Sequence, residues 1–236
     1  MNITLLPAAP AVGCEILSGA NAVVFDVLRA TSTIVTALAS GYRRVYPVID
    51  VGEARLRAKE WGFSLAGERG GKRIPGFPLG NSPLEFCAGP AGNPDNLILT
   101  TSNGTAAIRS AAAAEKVLIG AIINARAAAR AAVAEGRDIV LVCAGSGGSY
   151  SLDDILGAGF VLREIINAAE QPPEMDDQAL AALCLARYYR QEPLAGLMES
   201  RHGKKLLALG LENDLRWCAR LNLYDTAPVL HNDYVR

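Results

Sequence analysis

Short apolar runs punctuate the first two thirds of this chain. They are Ala22-Val-Val-Phe25, Val45-Tyr-Pro-Val-Ile49, Leu97-Ile-Leu99, Val117 to Ile122 and Ile139-Val-Leu-Val142. Runs of this length without strict alternation predict strands buried on both faces, as in parallel sheets. Pro47 inside the second run predicts an edge or a bulge, because proline cannot donate to a strand ladder. Between the runs the period changes to that of helices: Thr31 to Gly41, Gly52 to Trp61, Asn103 to Ala114 and the Ala-rich stretch from Ala125 to Glu135. Regular alternation of strand and helix predicts an α/β fold, layered α/β/α around a mostly parallel sheet. From Leu152 onward the pattern is helical, with breaks near Pro172-Pro173, Pro193 and Gly210, and predicts a cover or lid over one face. One domain over 1–236 is expected, with a subdivision near 85–96 and the helical cover from about 152. The likeness of Ala30-Thr-Ser-Thr33 to Thr101-Ser-Asn-Gly-Thr105 suggests two related α/β halves.

Four polar loops follow apolar runs: Asp26 to Thr33, Gly67 to Arg73, Thr100 to Thr105 and Cys143 to Ser149. Strand-to-helix turns of a parallel sheet gather at one edge, so residues from separate loops can share one crevice. Asp26 suits a metal and Arg29 an anion fork, with Thr31 and Ser32 offering hydroxyls; the competing role of this loop is to cap the helix. The second loop packs Glu68, Arg69, Lys72 and Arg73 among glycines and runs on through Asn81 in a long Gly- and Pro-rich stretch to Pro94. Such a length without periodicity argues for function. Ser102 and Asn103 can contact anionic oxygens or cap a helix. Gly145 lies in a glycine nest after Cys143 that superficially resembles a cysteine-phosphatase cradle, but Ser149 stands where such a loop needs Arg. Cys143 is therefore expected to be structural. Asp153 and Asp154 either complement a helix dipole or supply a further metal carboxylate.

Hydrophobic residues form 50% of the 236 and aromatics only 6%, which predicts an aliphatic core. Lys plus Arg number 23 against 24 acids, so a nucleic-acid or polybasic membrane surface is not expected. Five cysteines without a Cys-x-x-Cys pair point to a reducing cytoplasm. Neither His202 nor His231 has metal-ligand spacing, and no phosphate-loop or dinucleotide fingerprint occurs. Leu28 stands where an Asp-x-Asp phosphatase loop has its second acid.

Asp26-Val-Leu-Arg-Ala-Thr-Ser-Thr33, Gly67-Glu-Arg-Gly-Gly71, Gly76-Phe-x-Leu-Gly-Asn-Ser-Pro83, Thr100-Thr-Ser-Asn-Gly-Thr105 and Cys143-Ala-Gly followed by Asp153-Asp154 stand in this order. Together they resemble the 2-phosphosulfolactate phosphatase family. Weaker echoes lie around Arg201 to Gly210 and at Asp214. The resemblance implies an Mg²⁺-dependent phosphatase that hydrolyses 2-phospho-3-sulfolactate to sulfolactate and phosphate, a step toward coenzyme M. Pro78 departs from the Asp expected there in many members. On this basis Asp26, Arg29, Glu68 and Asp154 are the expected catalytic residues, with Asp26, Glu68 and Asp154 on the metal. Thr31, Ser32, Arg69, Lys72, Arg73, Asn81, Ser102, Asn103 and Gly145 are expected to bind substrate. Hydrolysis by an activated water and by a covalent carboxylate both remain open, the latter with Asp26 as nucleophile. A phosphatase for another phosphorylated hydroxy acid, or a non-catalytic binder of small anions, are the competing readings. The expected partners are the small anionic substrate and, for assembly, a homodimer.

Overall fold

The protein, as a computed structural model, is described at residues 1–9, 13–90 and 95–236. In chain order, β1 (Asn2–Leu6), α1 (Cys14–Leu17), β2 (Asn21–Phe25) and α2 (Ala30–Ala39) lead into β3 (Arg44–Pro47), α3 (Val51–Trp61), β4 (Ser64–Arg69) and β5 (Lys72–Arg73). After a 3₁₀ turn at Pro83–Glu85 come β6 (Asn96–Thr100), α4 (Gly104–Ser110), β7 (Lys116–Gly120), α5 (Ala125–Val133) and β8 (Ile139–Cys143). The remainder holds α6 (Leu152–Ala168), β9 (Glu174–Met175), α7 (Asp177–Tyr188), α8 (Pro193–Glu199), α9 (Arg201–Ala208), α10 (Glu212–Cys218), β10 (Leu230–His231) and β11 (Tyr234–Val235).

The strands sort into two sheets. One runs β7-β2-β8-β1-β9, parallel throughout. The other runs β10-β11-β3-β6-β4-β5, parallel across β3-β6-β4 and antiparallel at its edges. The expected α/β/α layering is thus extended, because α2 and α4 lie between the two sheets and serve both. Ile34, Val35 and Ala37 of α2 and Ala107 and Ile108 of α4 share one core with Ala22, Val24 and Ile119 of the first sheet and Val45, Leu97 and Leu99 of the second. The first eight residues of α2 are all buried, as befits a helix with no solvent face. Val23 and Phe25 point the other way, into a core with Ala128, Phe160 and Ala182 of α5, α6 and α7. The outer face of the second sheet is covered by α3, whose one fully buried residue is Ala54.

Three departures from the sequence expectation have physical causes. The first is β1, a five-residue segment that pairs between β8 and β9 and escaped the pattern because it is short and half polar. The second is the C-terminal hairpin: Ile119 N–H donates to the Pro228 carbonyl and Val235 pairs with Val45, so the last residues fasten the two sheets together. The third is the Gly67 segment, which continues as strand to Arg69 and turns back at Gly70-Gly71, with φ of 63° and 89°. Two glycines at positive φ make the tight turn a two-residue hairpin needs. Pro47 is tolerated although β3 is internal, because β11 reaches only Val45. Part of the expected 85–96 boundary, residues 91–94, lies outside the described residues. No helix among them is long and apolar enough to cross a membrane.

A β-carbon on Gly159 would stand 2.1 Å from the Ala182 carbonyl oxygen, so α6 and α7 touch backbone to backbone there. Gly159→Ala is expected to force these helices apart and cost about 1–3 kcal/mol, read as a lower denaturation midpoint. An unchanged midpoint would contradict the close approach.

Candidate active site

The carboxyl ends of β2, β4, β6 and β8 open onto one cavity of about 530 Å³. Asp26, Leu28 and Arg29 line it from the turn after β2, and Glu68, Gly70 and Gly71 from the β4–β5 hairpin. Asn81, Ser102 and Asn103 come from the second sheet's side, and Ser146, Gly147 and Ser149 to Leu152 from the loop after β8. The remaining wall is Glu199, Ser200, Arg201, His202 and Lys205, from the junction of α8 and α9.

Asp26 sits at the start of α2. Its Oδ1 accepts the Ala30 N–H at 3.1 Å, while Oδ2 has no hydrogen-bond donor among the described residues. The start of α4 packs directly on it: a β-carbon at Gly104 would lie 2.6 Å from Oδ2 and 2.5 Å from the Ala30 β-carbon. Only glycine admits this approach. Thr101 does for α4 what Asp26 does for α2, its Oγ1 accepting the Thr105 N–H at 3.1 Å. The two crossings thus share one capping device. Burial pushes the Asp26 carboxyl up to about 6; His202 and the Ala30 N–H oppose the rise, and Glu68 and Asp153 add to it.

Glu68 is held differently. Oε1 accepts from Ser102 N at 2.7 Å and Oε2 from Gly71 N at 2.6 Å, so one carboxylate ties the hairpin to the turn after β6. Arg29 is 4% exposed; it donates to Asp214 Oδ2 at 2.5 Å and to the Gly71 carbonyl at 2.7 Å. Asp214 Oδ1 also accepts from Ser82 at 2.6 Å. Two of the five guanidinium N–H groups are so used, and Arg29 still lines the cavity.

Several expected residues stand elsewhere. Asp154 lies behind the wall, accepting from Val27 N and Gly145 N at 2.9 Å each, so both oxygens tie loops together; burial, Asp153 and Asp26 raise its carboxyl well above the usual range. Gly145 is buried with it and does not line the cavity. The Thr31 and Ser32 hydroxyls donate to the Asp26 and Val27 carbonyls, which stabilises the turn and leaves them out of the lining. Arg69 clamps the Glu68 and Ile49 carbonyls and Thr100 Oγ1. Lys72 and Arg73 are exposed on β5, with Arg73 donating to the Pro78 carbonyl, because the hairpin turns them away from the site. Asn81, Ser102 and Asn103 do line the cavity. Cys143 is fully buried, and burial together with Asp154 and Asp153 holds its thiol protonated.

His202, which has no metal-ligand spacing in the sequence, lines the cavity. Its Nδ1 lies 3.8 Å from Oδ2 of the buried Asp153. The usable signal was local: Ser200 caps α9 by accepting the Gly203 N–H at 2.8 Å, and Arg201, His202 and Lys205 follow on one helical face.

The donor set bears on a divalent cation. Asn81 is 3% exposed and its Oδ1 has no hydrogen-bond partner, the Asp26 Oδ2 is free, and Glu68 adds carboxylate oxygens in the same cavity. Hard oxygens in that number fit Mg²⁺, which takes one or two carboxylates and keeps waters or substrate oxygens. Among the described residues no three His, Cys, Asp or Glu side chains are grouped as a ready-made metal cage, and Asp154, which lies behind the wall and does not line the cavity, stands outside the ligand set.

The model of the family described as 2-phosphosulpholactate phosphatase matches residues 13–233. A protein of Carboxydothermus hydrogenoformans named "Probable 2-phosphosulfolactate phosphatase" is 42% identical over 89% of this chain and 85% of its own. Proteins of the same name from Symbiobacterium thermophilum and Clostridium acetobutylicum are 42% and 36% identical, over 91% and 98% of this chain and 93% and 98% of theirs.

The Asp26 shift fixes the sign of a stability effect. A carboxyl raised from 3.8 to about 6 stabilises the fold below pH 4, and that contribution is lost as pH rises through 6. Asp26→Asn, which mimics the protonated acid, should match the parent near pH 4. Above pH 7, without added metal, it should be the more stable by up to about 3 kcal/mol. Denaturant titrations at the two pH values check this; a variant less stable at pH 7 would refute it.

Proposed function

The chain belongs to the 2-phosphosulpholactate phosphatase family, and we propose that it hydrolyses 2-phospho-3-sulfolactate to 3-sulfolactate and phosphate with Mg²⁺ as its cofactor. The observation that carries this reading is the pairing, in one cavity, of unengaged hard oxygens at Asp26 and Asn81 with the cationic side chains of Arg29, Arg201 and Lys205. A simple anion receptor gains nothing from carboxylates beside its ligand, since they repel it.

Asp26, Glu68 and Asn81 are the residues that would hold the cation. Bound there, Mg²⁺ supplies charge neutralisation for the phosphoryl group. Arg29 holds a phosphoryl oxygen with the N–H groups that Asp214 and Gly71 leave free, and the buried ion pair keeps its guanidinium in place. Water adds to phosphorus as the ester P–O bond breaks. His202 donates its ring proton to the departing ester oxygen, and the buried Asp153 carboxyl stands 3.8 Å from its Nδ1.

Phosphate release from 2-phospho-3-sulfolactate should disappear in excess chelator and return on adding Mg²⁺; equal rates in both would refute the metal's role. Cys143→Ser should keep the single-turnover rate within about threefold, because the buried protonated thiol is no nucleophile, and should lose about 1–2 kcal/mol of stability through the buried hydroxyl. A fall of several orders of magnitude with an intact fold would make Cys143 the nucleophile.

A further inference from the structure

We propose that Arg201 and Lys205 form the subsite for a second acidic group of the substrate, and so restrict this enzyme to phosphate esters that also carry a sulfonate or carboxylate. The inference rests on the phosphatase reading and deepens it.

Charge pairing across the cavity wall singles these residues out. Arg29 is neutralised by Asp214 at 2.5 Å, and His202 stands beside Asp153 at 3.8 Å. Among the described residues, no carboxylate lies within 4.0 Å of either Arg201 or Lys205. They are therefore the lining cations whose charge the protein leaves uncompensated. Placed i and i+4 on one helix they repel each other, which an anion between them relieves.

Their mounting is rigid, as a selective subsite requires. A β-carbon on Gly203 would lie 1.8 Å from the Leu197 carbonyl oxygen, so α9 is pressed onto α8, and Leu206 is fully buried beneath. The hairpin turn seats on the same helix, with Leu209 Cδ1 and Leu206 Cδ2 at 3.1 and 3.5 Å from a β-carbon built on Gly71. Lys205 Nζ lies 3.8 Å from the equivalent point on Gly70. The Gly71 carbonyl is also the acceptor for Arg29, so one turn touches both the phosphoryl-holding guanidinium and Lys205. Arg29, Arg201 and Lys205 all line one cavity, so a compact ester that carries a second acidic group beside its phosphate can engage them together.

The test uses the full chain with Mg²⁺ and compares kcat/KM for 2-phospho-3-sulfolactate, 2-phospholactate and phenyl phosphate. The readout is the ratio of either acidic ester to phenyl phosphate. In Arg201→Gln and in Lys205→Gln this ratio should fall at least about tenfold through KM, as expected for one lost charge-assisted contact. Lys205→Arg should hold it within about threefold. A sulfonate-specific subsite shows the fall with sulfolactate phosphate alone, and a general acid subsite shows it with both. An unchanged ratio in the folded double variant, or equal losses in Lys205→Arg and Lys205→Gln, would overturn the proposal. If the parent cleaves none of the esters, it is the phosphatase reading that fails. Calorimetric binding of 3-sulfolactate then decides the subsite: at least tenfold weaker binding in the variants supports it, and no binding by the parent, or none lost, overturns it.

Discussion

Carboxylates that accept backbone N–H groups hold this site together. Asp154 joins the turns after β2 and β8 through Val27 and Gly145, Glu68 joins the β4–β5 hairpin to the turn after β6, and Asp26 opens α2. Where the carboxyl is ionised such a hydrogen bond contributes about 1.5–3 kcal/mol, more than a neutral one, and all of them bind loop to loop where no strand ladder reaches. Two separate sheets can therefore present their carboxyl ends to one cavity. The same bonds bear on which acids remain open for chemistry: Asp154, behind the wall with both oxygens engaged, is framework, whereas Asp26 keeps one oxygen free in the cavity.

The helical C-terminal segment is drawn into the site by a single buried ion pair. Arg29 and Asp214, 4% and 3% exposed, would leave an uncompensated buried charge if either were lost, a penalty of about 3–5 kcal/mol. That pair fixes α10 against the β2 turn, and with α8 and α9 packed alongside it sets the far wall of the cavity. What reads in one dimension as a cover is, in three, the source of His202, Arg201 and Lys205.

Crowding acids has an energetic consequence. Burial drives the Asp26, Asp153 and Asp154 carboxyls upward, and each is raised further by a neighbouring acid or restrained by His202. Near neutral pH the metal-free fold gives up stability to keep Asp26 ionised. Perturbed acids in a cavity of this kind are characteristic of sites arranged for reaction rather than for stability.

The chain's own pattern determined the strands β2, β6, β7 and β8 and the helices that follow β2, β3, β6 and β7, because a fully buried apolar run and a 3.6-residue period are local properties. It also determined that the turns after β2, β6 and β8 would carry polar chemistry, and Asp26, Arg29, Glu68, Asn81, Ser102 and Asn103 do share one cavity. Tertiary structure alone decided the rest. Whether Arg69 or Lys205 faces the cavity depends on a hairpin turning at Gly70-Gly71 and on α9 docking against it, contacts between residues more than a hundred positions apart. Whether Asp154 or Asp26 keeps a free oxygen depends on which backbone N–H groups the folded loops bring within 3 Å. Residue type fixes what a side chain can do; only its partners in space decide which of those capacities remains unspent.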